Sequence, residues 1–227
     1  MKQKTTSVSS MSKKTLGMVQ IALFSAIIIV MAFTPFFGYI PLGFTRATII
    51  HIPVIIGSII LGPVQGAILG GIFGLTSLIN NTINPTATSF VFSPFYSGGI
   101  AQGGWQSIVI CFLPRILTGV IPFYVYYALK GKGSCSKKRQ SFALSIAGFA
   151  GSMTNTLLVM NFIYIFFGQS YAIATKRALN SLYSAILVII GFNGIPEAIV
   201  AAIIVTAVVR ALMHSKSVQK SVQHTHN

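Results

Sequence analysis

Six stretches of roughly twenty mostly apolar residues run through this chain, at about 16–36, 46–62, 64–81, 106–129, 141–168 and 185–212. An α-helix needs about 20 such residues to cross the hydrocarbon core of a bilayer. Backbone N–H and C=O groups in lipid must be satisfied within their own segment, so these stretches can only fold as helices. The expected fold class is therefore an all-α integral membrane protein, a bundle of six transmembrane helices. Charge agrees with this: charged residues are 7% of the chain and mean hydropathy is +0.78, whereas a soluble domain devotes about a quarter of its residues to charge. The second and third stretches are joined only by Gly62-Pro63, a turn signal. The first stretch is too long, and lacks the small-residue cleavage site, for a removed signal peptide. It reads as a retained helix.

Orientation follows from the cations. Lys2, Lys4, Lys13, Lys14, Lys130, Lys132, Lys137, Lys138, Arg139, Arg210, Lys216 and Lys220 lie in the N-terminus, the 130–140 loop and the C-terminal end. Six spans put all three segments on one side, which the positive-inside rule makes the cytoplasm. The chain thus divides into a basic cytoplasmic N-terminus (1–15), a six-helix transmembrane domain (16–212) and a cytoplasmic tail (213–227). The net charge of +15 is explained by this topology and by anionic lipid headgroups. No nucleic-acid partner is expected, because no extramembrane domain exists to carry a basic face.

Against sixteen Lys and Arg stands one acid, Glu197, inside the apolar stretch GFNGIPEAIVAAIIV. That scarcity excludes paired carboxylates for hydrolysis and any acid cluster for a divalent metal. The histidines have no metal spacing, and Cys111 and Cys135 are isolated, so no metal, cofactor or disulfide framework is expected. Arg115, in ICFLPRILTGV, falls well inside the fourth span. An ionisable residue at membrane depth marks a ligand site or pathway by default. The alternative is that Arg115 simply pairs with Glu197, and both roles are compatible, since a paired guanidinium can offer further donors to a carboxylate.

The outer connections are long and aromatic. The first contains Phe36, Phe37, Tyr39, Pro41, Gly43 and Arg46; the second contains Phe90, Phe92, Phe95, Tyr96 and Trp105. Two such loops at one mouth read as covers over a small-molecule site, although Trp105 and Tyr39 also suit the interfacial aromatic belt. Asn155 and Asn161 in the fifth span, and Asn193 before the Gly194-Ile195-Pro196-Glu197 break, supply polar groups that serve either a ligand or helix–helix hydrogen bonding. His51 beside Pro53 reads as a helix-packing histidine. Gly66, Gly70 and Gly74, four residues apart, form a close-packing face.

Several segments together resemble the substrate-binding S component of an energy-coupling factor (ECF) vitamin transporter. They are Ala22 and Ala26 as an AxxxA pair, IPLGFTRATIIHIPVIIGSIILGP followed by GAILGGIFGLTSL, SFVFSPFYSG, GSMTNTLLVM and NGIPEAIVAAIIV. The resemblance runs from about residue 16 to 210 and is nearest to the pantothenate type. It implies a vitamin bound at the outer face, no catalytic activity, and association with a membrane T component and two cytoplasmic ATPases. It also implies toppling in the bacterial plasma membrane to release the vitamin inward. Ala22 and Ala26 are then expected against the T component. The substrate site is expected to use Arg46, Phe95, Tyr96, Trp105, Arg115, Asn155, Asn161, Asn193 and Glu197.

Pantothenate offers a carboxylate for an arginine and an amide and two hydroxyls for Asn and Tyr. Folate, pyridoxine and riboflavin, or a precursor, remain alternative substrates. A stand-alone secondary transporter is the alternative mechanism, since six spans with a broken helix also suit ion-coupled carriers.

Overall fold

The computed structural model describes residues 13–34, 39–42, 45–98, 101–131, 136–176 and 178–214. In chain order it contains α1 (Lys13–Phe33), the strands β1 (Tyr39–Leu42) and β2 (Thr45–Thr48), α2 (His51–Leu61) and α3 (Pro63–Ile83). A 3-10 turn (Ser89–Val91) and the short strands β3 (Ser97–Gly98) and β4 (Ala101–Gln102) follow. The described residues continue with α4 (Trp105–Lys130), α5 (Lys137–Ala174), α6 (Leu179–Ile189), a π-helical turn (Ile190–Gly194) and α7 (Ile195–His214).

Among the described residues five helical passes are long and apolar enough to cross a membrane: α1, α3, α4, α5 and the continuous α6–α7. Large apolar side chains such as Leu23, Val30, Val64, Ile165 and Ile203 lie exposed along them, a surface suited to lipid rather than water. The chain is therefore a multi-pass helical membrane protein. The second expected span is shorter than the sequence reading. Its first residues enter β2, where Thr45–Thr48 pairs antiparallel with Tyr39–Leu42. The remaining α2 has 11 residues, or about 16 Å at 1.5 Å per residue, too short to span the core alone.

The turn after α2 is set by Gly62, at φ +109°, a backbone conformation that only glycine adopts without strain. Pro63 then occupies the first turn of α3, where its missing N–H has no intrahelical acceptor to lose. The expected glycine face is used inside the protein. A Cβ at Gly74 would sit 2.7 Å from the Cys111 carbonyl oxygen, and Gly66 and Gly70 stand closer still to the carbonyls of Gly119 and Arg115. Helices α3 and α4 thus meet backbone to backbone.

The expected end of the fifth span at residue 168 coincides with a kink: Phe167 has non-helical φ −130°, ψ 18°. Beyond it α5 continues to Ala174. The expected break at Gly194-Ile195-Pro196-Glu197 is instead a π turn. Pro196 cannot donate to the carbonyl of Phe192, and widening the preceding turn accommodates the ring without interrupting the pass. At the basic end, Arg139 Nε donates to the Leu129 carbonyl at 3.0 Å, and Lys130 lies 5.4 Å from the Tyr127 ring centroid. The opposite end carries both hairpins.

Candidate functional site

The site is built from the proline in α4. Pro114 has no N–H, so the Ile110 carbonyl one turn earlier lacks its helical donor. Arg115, 5% exposed, fills that gap: its guanidinium donates to the Ile110 carbonyl and, at 3.5 Å, to Ser77 Oγ on α3. The same group lies 5.5 Å from the Phe73 ring centroid and 5.2 Å from that of Phe92. Phe92 belongs to the loop between α3 and α4 and is fastened there, since Cys111 Sγ donates to its carbonyl at 2.9 Å. A buried cation is thus held between two aromatic faces, a favourable arrangement where water is excluded.

That loop is held by α3 and α4. Asn81 Nδ2 donates to the Ser77 carbonyl at 2.8 Å, and its Oδ1 accepts from Ser89 Oγ at 3.0 Å. Ser107 Oγ donates to the Phe90 carbonyl at 2.7 Å, and Thr82 and Ser93 hydroxyls bond at 2.7 Å. Phe90 is fully buried, 5.6 Å from the Phe167 ring centroid in an edge-on contact. The aromatic loop therefore folds into the bundle as a plug over Arg115.

Glu197 and Arg115 find different partners. Helix α7 packs on α5 and α2, while α4 packs on α3, α5 and α2. Half-buried Glu197 accepts the Thr48 backbone N–H on Oε1 at 3.0 Å, tying the end of the β1–β2 hairpin to α7. The Arg115–Glu197 ion pair weighed from the sequence is not formed among the described residues.

The other expected site residues separate into two groups. Asn155 is 8% exposed and its Oδ1 has no hydrogen-bond partner among the described residues. Asn193 is half-buried in the π turn, which meets α5 closely where a Cβ at Gly194 would lie 2.9 Å from Thr156 Cγ2. Tyr96 is half-buried, 6.3 Å from the Phe90 ring. These lie with Arg115 and Glu197 in the hairpin-end half of the bundle. Asn161 instead turns back on its own helix, with Nδ2 donating to the Leu157 carbonyl at 2.7 Å. Phe95 is 75% exposed, and Trp105 is 65% exposed against Phe166 at 5.9 Å, positions that suit the interfacial belt. The Arg46 backbone lies in β2 opposite Pro41; its side chain is outside the described residues, as are Phe36, Phe37, Gly43, Cys135 and Arg177.

Sequence reasoning missed Phe73, Ser77 and Thr48, and placed Phe92 in a covering loop without assigning it to Arg115. The Pro114-Arg115 pair was the signal available for Phe73, Ser77 and Phe92, because a proline-orphaned carbonyl next to a buried arginine fixes where the guanidinium goes. Ala22 and Ala26 are exposed on α1 beside Leu23 and Ile27.

A helical bundle with buried, convergent polar groups near one end has the form of a membrane-embedded binding protein. The chain belongs to the ECF transporter substrate-specific component family, whose model matches residues 16–209. It is 39% identical over 190 residues to the pantothenic acid transporter PanT of Lactococcus lactis subsp. cremoris (strain MG1363), covering 80% of this chain and 92% of that one. It is 30% identical over 201 residues to the pantothenate transporter PanT of Leuconostoc mesenteroides subsp. mesenteroides (strain ATCC 8293), covering 86% and 90% respectively. A solved S component for biotin from an ECF-type ABC transporter matches with TM-score 0.49 and 19% identity, over 88% of this chain and 95% of that one. Proteins of this family bind substrate for transport rather than transform it.

Proposed function

We propose that this chain binds pantothenate from outside the cell and delivers it inward as the substrate-specific subunit of an ATP-driven importer. The observation that carries the reading is the 39% identity to a pantothenic acid transporter over 92% of that protein. The buried Arg115 fits it chemically, because a guanidinium set between aromatic faces and facing a polar half-bundle can receive a carboxylate through forked, charge-assisted hydrogen bonds. Pantothenate's amide and hydroxyls then fall to polar side chains elsewhere in the bundle, among them Asn155, Tyr96 and Asn193.

The remaining parts of the reading concern assembly. With α2 and its hairpin counted as one pass, six crossings put both termini on one side, and the cations Lys130 and Arg139 support that side as the cytoplasmic one. The membrane is the bacterial plasma membrane, and the functional domain runs from about residue 16 to 212. A membrane T component and two cytoplasmic ATPases supply the driving force, with toppling as the release step. The exposed small-residue pair Ala22 and Ala26 supports α1 as the face that meets the T component, since small side chains let helices approach closely.

Uptake of labelled pantothenate into vesicles tests this. The expected result is ATP-dependent uptake only when the chain is reconstituted with the T component and ATPases. Uptake by the chain alone, driven by an ion gradient, would establish a stand-alone transporter instead.

A further inference from the structure

Helix α2 holds a second polar group that the Arg115 site does not use. His51 is 1% exposed, and neither ring nitrogen meets hydrogen-bond geometry with a partner among the described residues. The Thr48 backbone lies beside the ring and is the one polar group that approaches it from the hairpin side among the described residues. A buried polar group without a partner is destabilising, so a packing role alone does not explain a histidine here.

Helix register shows what His51 faces. One turn further along α2, Ile55 meets α5 at Gly151: a Cβ there would stand 2.8 Å from Ile55 Cδ1 and 2.7 Å from Pro122 Cγ of α4. The two helices run in opposite directions. One turn toward the hairpin end from this contact is therefore His51 on α2 and Asn155 on α5. Asn155 is also buried with Oδ1 unpartnered among the described residues, as are Ser58 Oγ and Ser152 Oγ. Two unpartnered, nine-tenths-buried side chains on facing helices thus occupy one layer. The Ile55–Gly151–Pro122 contact closes it toward the basic end. The Glu197–Thr48 hydrogen bond secures the hairpin end just before His51.

We propose that His51 and Asn155 form a substrate subsite for a hydroxyl or amide group, separate from the carboxylate site at Arg115. A neutral imidazole carries one donor and one acceptor, and an amide carries both kinds whichever way it is turned. The pair therefore suits a group that both donates and accepts. A hydroxyl does so, donating to Asn155 Oδ1 while accepting from the imidazole N–H. A substrate of matching form has an anionic end for Arg115 and a hydroxylated end for this pair. The proposal rests on the pantothenate reading and assigns its hydroxylated portion to His51 and Asn155.

The test is calorimetric titration of the full-length purified chain with pantothenate and with its analogue in which both hydroxyls are replaced by hydrogen. Wild type is expected to favour pantothenate by at least about tenfold, because a site built around a hydroxyl rejects the analogue lacking it. His51→Phe and Asn155→Leu are each expected to lose about 10- to 100-fold for pantothenate while holding the analogue within about twofold. The ligand-free variants should melt no lower than wild type, since an orphaned polar group has been removed. If His51→Phe fails to fold, Asn155→Leu carries the same test. Equal losses for both ligands, or unchanged pantothenate affinity, overturns the subsite. A wild-type chain that binds neither ligand but does bind another vitamin overturns the pantothenate reading itself.

Discussion

The contact between Arg115 and the Ile110 carbonyl makes the arginine a substitute for the N–H that Pro114 lacks, and this can be measured as a coupling. Arg115→Met removes the donor and leaves a buried carbonyl unpaired, at a cost of about 1–3 kcal/mol. Loss of the guanidinium from between Phe73 and Phe92 adds about 0.5–2 kcal/mol. The single variant is thus expected to destabilise by roughly 1.5–5 kcal/mol. Pro114→Ala restores a backbone N–H one turn from Ile110. In the Arg115→Met background it should return about 1 kcal/mol or more, and in wild type much less, because Arg115 already serves the carbonyl. The assay is unfolding of the four proteins in detergent, treated as a double-mutant cycle. Additive effects, within about 0.3–0.5 kcal/mol, would refute the substitution argument. The same cycle reads the ligand role. Arg115→Met should lose about two charge-assisted hydrogen bonds to a carboxylate, roughly 3–6 kcal/mol or a hundredfold and more in affinity. Pro114→Ala, which relieves the guanidinium of its backbone duty, should hold or raise affinity.

Three further outcomes are expected. Glu197→Gln keeps an oxygen acceptor for the Thr48 N–H and should bind ligand within about twofold of wild type, whereas Glu197→Ala frees the hairpin and should speed ligand dissociation about fivefold, as stopped-flow release would show. Gly74→Val places branched carbon atoms against the Cys111 carbonyl, where even a Cβ would be 2.7 Å away; size-exclusion chromatography should find little monodisperse protein, and a normal profile would mean α3 and α4 are not in backbone contact. Ala22→Leu together with Ala26→Leu should leave pantothenate affinity of the isolated chain unchanged and abolish ATP-driven uptake with the T component. Normal uptake would remove α1 from the proposed partner face.

The sequence showed most clearly what depends on the solvent. Lipid forces every long apolar stretch into a helix, so five passes were readable from hydropathy alone, three of them to within about three residues and the last two with one end misplaced by six. The failure at the second stretch has a local cause: TRAT had a pairing partner in YIPL across a short turn, and strand pairing is a relation that window hydropathy does not contain. Pro196 was visible as a disturbance, but a break and a π turn relieve a proline equally well, and only packing against α5 decides between them. At the site, Arg115 was legible because a buried cation is rare. Its neighbours were not, because which faces of α3 and α4 meet is set by three glycines, and which aromatic covers the arginine is set by how Asn81, Ser89 and Ser107 fold the loop. Glu197 and Arg115 are at comparable sequence depth, but their helices pack on different neighbours, so charge complementarity alone gave a pair that the bundle does not make.

The most direct single measurement is native mass spectrometry of the full chain purified gently from cells grown with pantothenate, to weigh what stays bound. The expected result is one retained ligand with the mass of pantothenate, present in wild type and absent from Arg115→Met. A retained vitamin of another mass, or pantothenate equally retained by Arg115→Met, would overturn the assignment of this site.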